Sequence, residues 1–227
     1  MNTTATALNQ ARFNMIEQQI RPWDVLDAQV LELLERVRRE DFVPSTHRAL
    51  AYADMELPLG GGSPEVMLAP KVQAKMVQDL QIQATDRVLE IGTGSGYTTA
   101  LLAQLAANVT SLEIDPELAK QATQRLQAAG ITNAQVRAAD ACANGFAACK
   151  AEASFDVIVL GGSVAEVPAA LTALLADGGR LFAIVGKAPM MRATIITRRG
   201  NGFHTSQPWD TVAPRLQHFA EPSRFAF

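Results

Sequence analysis

From Asp86 onward the chain alternates short apolar runs with stretches of helical periodicity, and this alternation constrains the fold more than any other feature. Arg87–Ile91 reads as a strand, Thr98–Ala107 as a helix and Val109–Ile114 as the next strand, followed by a helix opened by Pro116 and ended by Gly130. Ala134–Ala138, Phe155–Leu160, Arg180–Val185 and Thr194–Thr197 continue the strands, with a helix over Val167–Leu175 ended by the turn Asp177-Gly178-Gly179. Strands joined through helices run parallel, because a parallel crossover needs a dozen or more residues and a helix supplies them. Such crossovers are right-handed, so the expected architecture is α/β with a doubly wound, mainly parallel sheet.

The first 80 residues have a different texture. Residues 1–10 are polar and threonine-rich and read as a disordered leader without the apolar centre of a signal peptide. Phe13, Ile16 and Ile20 recur at helical spacing, and Asp27 is placed to cap a second helix whose apolar stripe is Val30, Leu31, Leu34 and Val37. The charged run Arg36 to Asp41 reads as a solvated helix end, and Pro44 stops further helix. A Pro-Leu-Gly-Gly-Gly-Ser-Pro loop covers 58–64, and Pro70 suits the first turn of a helix carrying Val72, Met76, Val77 and Leu80. Residues 1–80 are therefore expected to form a helical appendage with a glycine-rich loop, and 81–227 the ligand-binding domain.

Composition narrows the function. A net charge of -3 advertises no basic face, so a nucleic-acid partner is not expected. His47, His204 and His218 lack metal-ligand spacing, so no metal is expected. Cys142 and Cys149 form no CxxC pair, and a disulfide is not expected without secretory signals. No apolar run is long enough to span a membrane, and the expected location is the cytoplasm. Trp23 and Trp209 stand isolated, Trp209 beside Pro208 in an expected loop. Met190 and Met191 read as strand-edge packing, and Phe219, Phe225 and Phe227 as docking for the C-terminal tail.

The segment carrying the chemistry is Val88-Leu89-Glu90-Ile91-Gly92-Thr93-Gly94-Ser95-Gly96-Tyr97, which leaves a strand and opens a helix. Glycines there let the backbone turn tightly and let a ligand approach, while the helix N-terminus offers unpaired N–H groups. A dinucleotide fingerprint requires its third glycine where Tyr97 stands. Glu113, ending the next strand, can accept hydrogen bonds from both hydroxyls of a ribose, and Asp140 follows the third strand. Three acids at the C-terminal ends of successive strands converge on the crevice where such sheets bind ligands.

This arrangement resembles motif I of the class I S-adenosylmethionine-dependent methyltransferases, which have a Rossmann-like fold. The resemblance implies that Gly92, Thr93, Gly94, Ser95 and Gly96 admit the methionine part of the cofactor, with Glu90 near its cationic end. It further implies Glu113 on the ribose, Ile114 on the adenine face, Asp140 near the adenine amino group with Ala141 beside it, and Met67 contributing from the glycine-rich loop. The cofactor would be S-adenosyl-L-methionine and the product S-adenosyl-L-homocysteine.

Within that superfamily, Arg39-Glu40-Asp41-Phe42-Val43-Pro44, Ala51-Tyr52-Ala53-Asp54, Leu57-Pro58-Leu59-Gly60 and Asp177-Gly178-Gly179-Arg180-Leu181 are similar to the protein-L-isoaspartate O-methyltransferases. That family methylates the abnormal α-carboxylate left when asparagine or aspartate isomerises, so the implied partner is an isoaspartyl protein or peptide. One departure stands out. The family's loop ends in Ser-x-Pro, its serine near the methyl group, whereas this chain has Met67-Leu68-Ala69-Pro70. Leu68 takes the serine position, Ala141 replaces a usual glycine, and Asp54, Gly161 and Gly162 are the remaining candidates for the acceptor side. No general base is needed, since a carboxylate with a pKa of about 4 is already ionised at neutral pH. A missing orienting hydrogen bond is worth about 1.5–3 kcal/mol, or roughly ten- to a hundredfold in rate. Leu68 therefore keeps open an unidentified small-molecule or other acceptor, and a non-catalytic cofactor-binding protein. A nicotinamide dehydrogenase is disfavoured by Tyr97 and by the lack of a Tyr-x-x-x-Lys pair.

Overall fold

The computed structural model describes residues 3–60, 65–151 and 154–221. The first helix, α1 (Thr3–Met15), continues through a wider π-helical turn at Ile16–Ile20. Residues 3–10 are thus helical rather than a disordered leader, because Leu8 and Ala11 pack against the core. Helix α2 (Ala28–Arg36) starts as its sequence dictates: the Asp27 carboxylate accepts from the N–H groups of Gln29 and Val30 at 2.8 and 3.4 Å. Its apolar stripe is buried.

The charged run that follows is a solvated helix end only in part: Arg36, Arg38 and Asp41 are exposed, but its centre is not. Arg39 is 0% and Glu40 2% exposed. The Arg39 guanidinium donates to the carbonyls of Ala51 at 2.8 Å and Leu68 at 2.7 Å and to the Gln73 side-chain oxygen, and lies 5.0 Å from the Tyr97 ring centre. Gln73 in turn donates to Thr98 Oγ1 at 2.7 Å, while the Tyr52 hydroxyl donates to Glu40. Burial lowers the Arg39 pKa to about 10, which still leaves it charged at neutral pH. A buried charge survives only where such partners replace its water.

Strands β1 (Leu57–Pro58) and β2 (Val66–Met67) pair antiparallel, with Leu57 opposite Met67, and frame the glycine-rich loop, whose residues 61–64 lie outside the described residues. Helix α3 (Pro70–Leu80) then leads to β3 (Arg87–Ile91), α4 (Tyr97–Ala103), β4 (Asn108–Glu113), α5 (Pro116–Ala128), β5 (Ala134–Ala138), β6 (Phe155–Val164), β7 (Leu175–Lys187), β8 (Met190–Arg199) and β9 (Gly202–Asp210). The seven-stranded sheet runs β5-β4-β3-β6-β7-β8-β9, parallel from β5 to β7 and antiparallel through β8 and β9. This is the Rossmann-like α/β architecture, with the strand order reversing between β3 and β6.

Three expectations change. The helix over 167–175 shrinks to one turn, Ala169–Thr172, because Leu175 is buried and already pairs with Phe155. Thr194–Thr197 is the middle of the longer β8. Trp209 lies in edge strand β9 rather than a loop; Pro208 is tolerated there because an edge strand leaves half its N–H groups unpaired. The Trp209 indole donates to Asp79 at 2.7 Å and meets Trp23 edge-on at 6.2 Å, so neither tryptophan is isolated.

One hydrophobic cluster runs from Met15 and Leu34 through Tyr97 and Leu101 to Phe182, joining the N-terminal helices to the sheet. Cys142 and Cys149 are both free thiols. Among the described residues no helix is long and apolar enough to cross a membrane.

Candidate active site

The loop after β3 has its backbone at positive φ at Gly92, Gly94 and Gly96, a conformation open to glycine at little cost. It is pinned by hydrogen bonds from the Gly92 N–H to Leu112 O at 2.8 Å and from the Gly96 N–H to Thr93 O at 3.0 Å. Gly161, in the second half of β6, lies so close that a Cβ would run into the Gly92 carbonyl. The point where the strand order reverses is therefore a tight seam, and a cavity of about 330 Å³ opens above it.

Nine of the expected site residues line that cavity: Leu68, Gly92, Gly94, Glu113, Ile114, Asp140, Ala141, Gly161 and Gly162. The others do not reach it. Met67 is buried in the core, while its neighbours Val66 and Leu68 face the cavity. Thr93 and Ser95 are buried, Thr93 hydrogen-bonding Ser111 Oγ at 2.6 Å and Ser95 accepting from the Tyr97 N–H at 3.2 Å. Gly96 serves packing, since a Cβ there would come within 3.2 Å of Ala122 on α5. Asp54 pairs with Lys71 at 2.7 Å, away from the lining.

Glu90 is 0% exposed and sits beneath the loop rather than on its surface. One carboxylate oxygen accepts from Thr99 Oγ1 at 2.5 Å and Ser111 Oγ at 2.6 Å; the other has no partner. Burial pushes its pKa up to about 7. The chain Glu90–Ser111–Thr93 ties β3, β4 and the loop together, so Glu90 shapes the site from below.

Glu113 faces the cavity. Its oxygens accept from the Gly94 N–H at 2.7 Å and the Asp115 N–H at 3.1 Å, and a carboxylate has about four acceptor positions in all. Burial raises its pKa, so hydroxyl donors from a ligand would offset its desolvation. Two adjacent hydroxyls of a ribose match that demand. Asp140 accepts from the Cys142 N–H at 2.9 Å and pairs with His218 Nδ1 at 2.7 Å, the His218 hydrogen bond being the chief cause of its lowered pKa. Leu112, Ile114, Ala139 and Ala141 give this end the apolar walls a flat base needs. The volume suits a nucleoside-sized ligand, and Glu65, Glu113 and Asp140 favour one carrying positive charge. These residues fit an adenosyl sulfonium.

Of one wall the sequence suggested only that Phe219 docks the tail, which it does, and not that the segment borders the cavity. Pro214, Arg215, Leu216, Gln217 and Phe219 line the cavity, held by hydrogen bonds from the Ser163 N–H to Pro214 O at 2.7 Å and from the Leu216 N–H to Ser163 O at 2.9 Å. Gln217 donates to Glu65 across the opening, and the Leu216 side chain covers Gly92 and Gly162. Phe219 meets Phe146 at 5.9 Å with the rings tilted by 58°; Phe225 and Phe227 lie outside the described residues. No motif announces this wall, because its contacts join residues 50 or more positions apart.

The sequence profile of the protein-L-isoaspartate(D-aspartate) O-methyltransferase family matches residues 10–213. The chain belongs to this family. It is thereby a member of an enzyme family of S-adenosylmethionine-dependent methyltransferases. Protein-L-isoaspartate O-methyltransferase 2 of Marinobacter nauticus is 41% identical over 199 residues, covering 87% of this chain and 88% of the relative. The enzyme of Methanoculleus marisnigri is 41% identical over 182 residues, 80% of each chain. In fold, the chain matches a Plasmodium falciparum protein assigned to this family and solved in complex with S-adenosyl-L-homocysteine. That match has a TM-score of 0.76 at 20% identity, over 92% of this chain and 97% of the other. Family membership accounts for the motifs before the glycine loop: Arg39 and Glu40 are the buried joint between the N-terminal helices and the cavity.

Proposed function

We propose that the protein is a cytoplasmic carboxyl O-methyltransferase that uses S-adenosylmethionine to methylate the α-carboxylate of isoaspartyl residues in proteins and peptides. The observation that carries this reading is Glu113, a buried carboxylate held by backbone N–H groups and facing a negatively charged cavity at the strand-order reversal.

When bound, S-adenosylmethionine supplies an activated methyl group on a sulfonium. Glu113 would hold its ribose hydroxyls, Asp140 would accept from the adenine amino group, and Ile114 would pack against the ring. Gly92 and Gly94, which line the cavity, would border its methionyl portion. No side chain has to move a proton, because the acceptor carboxylate arrives ionised. The remaining tasks are alignment and exclusion of water, and the wall over Gly92 and Gly162 performs the second.

A second reading keeps the cofactor and changes the acceptor to a small molecule. It is favoured by Leu68, whose apolar side chain lines the cavity while Arg39 takes its carbonyl. Labelled cofactor with an isoaspartyl peptide, followed by base-labile methanol release, decides between them. Transfer supports the first reading; tight binding of S-adenosyl-L-homocysteine without transfer refutes it. Glu113→Gln should weaken S-adenosyl-L-homocysteine binding at least tenfold by calorimetry, and equal binding would remove the cofactor assignment itself.

A further inference from the structure

The lining residues include three carboxylates, Glu65, Glu113 and Asp140, and among the described residues a single cation, Arg215. Glu65 is held by Gln217 at the opening, and the other charges stand apart along the cavity. Glu113 and Asp140 stand at the ends of β4 and β5, whereas Arg215 is bridged to Ser163 at the end of β6. Two strand spacings, about 10 Å, separate β4 from β6 in this sheet order. Arg215 therefore lies on the side of Gly161 and Gly162, about two strand spacings from the acids that suit the adenosine. Its Nη1 donates to the fully buried Ser163 Oγ at 3.3 Å, and the flanking backbone hydrogen bonds to Ser163 fix where the side chain begins.

We propose that Arg215 docks the carboxylate of the methyl acceptor. This rests on the carboxyl-methyltransferase reading above and adds the residue that selects the acceptor. Leu68 offers an isopropyl group and no donor, and its carbonyl is already bound by Arg39. The guanidinium is thus the strong donor at that end. It is engaged by a carboxylate within the chain: Arg215 Nε donates to Glu221 Oε1 at 2.6 Å and Nη2 to Oε2 at 3.4 Å. Two nitrogens facing two oxygens is the fork by which arginine grips a carboxylate. Glu221 is 56% exposed in its side chain, and exposed pairs of this kind contribute little, so an incoming carboxylate can replace it. The exchange leaves the charge count at Arg215 unchanged. Glu221 acts as a placeholder for the acceptor.

The test uses the full chain with S-adenosyl-L-homocysteine bound. Binding of an isoaspartyl peptide is compared with that of the same peptide carrying an α-carboxamide, and methylation kinetics of the first are measured with S-adenosylmethionine. Wild type should prefer the carboxylate by about ten- to a hundredfold. Arg215→Gln should lose that preference and raise the peptide KM by the same factor, with S-adenosyl-L-homocysteine affinity unchanged. Arg215→Lys should restore part of it, keeping the charge without the fork. Glu221→Gln should lower the peptide KM several-fold. Preference for the carboxylate that survives in Arg215→Gln overturns the proposal. Weaker S-adenosyl-L-homocysteine binding with peptide binding intact overturns it too, assigning the guanidinium to the cofactor's own carboxylate. A wild type that binds S-adenosyl-L-homocysteine but neither peptide overturns the acceptor reading and this proposal together.

Discussion

Replacing Glu90 with glutamine should make the protein more stable at pH 8 and almost unchanged at pH 4.5. The carboxyl is fully buried, has one oxygen without a partner, and titrates at about 7 instead of 4.5 because burial disfavours its charge. A folded-state pKa above the unfolded one means that the native protein holds the proton more tightly. The associated stability is present below pH 4.5, falls as the pH rises, and is gone above pH 7. The displacement corresponds to about 3 kcal/mol, most of it lost between pH 5 and pH 8. Glutamine is the neutral isostere of the protonated form and can still accept from Thr99 and Ser111. It stays neutral as the pH rises. For a chain of this length 3 kcal/mol is roughly 6–12 °C in melting temperature. Urea or thermal unfolding of wild type and Glu90→Gln across pH 5–8, without cofactor, measures the difference directly. Glu113, also raised by burial, titrates in both proteins and largely cancels from that difference. Parallel curves, or a variant less stable at pH 8, would refute the reasoning.

Three further outcomes follow from the same geometry. Leu68→Ser should raise kcat/KM on an isoaspartyl peptide about tenfold by restoring a donor beside the acceptor; no change or a fall would refute the placement of Leu68. Arg39→Met should cost about 3–5 kcal/mol, or roughly 10 °C in a thermal melt, because it strands the buried acceptors on Ala51, Leu68 and Gln73. Asp140→Ala should weaken S-adenosyl-L-homocysteine about tenfold by calorimetry, and an unaltered affinity would detach Asp140 from the adenine.

The sequence made legible what is local in the chain. The β3 loop, the acids closing β4 and β5, and the cap at Asp27 each depend on neighbours within a few residues, so spacing reveals them. Pairings that are distant in sequence stayed hidden. Arg36 to Asp41 has the composition of a solvated helix end, and only the carbonyls of Ala51 and Leu68 explain why Arg39 is buried. Strand β9 is almost wholly exposed and contains Pro208, so it lacks the alternation that marks a strand. Glu90 sits at the expected position but beneath the site, because nothing in a strand-end pattern says which face its last acid takes. The wall at 214–219 is invisible for the same reason as Arg39: its partners, Ser163, Glu65 and Asp140, lie in other parts of the chain.

That wall also sets an order of events when the protein is made. Everything that forms the floor of the cleft, from Glu90 to Ser163, leaves the ribosome before residues 213–219 do, and chains emerge from the N-terminus. The cleft is therefore closed on that side only once the segment after Asp210 is in place. By the same token, a protease cutting at exposed Val212 would unhinge the wall and leave the sheet intact, yielding a folded protein that no longer retains its ligand.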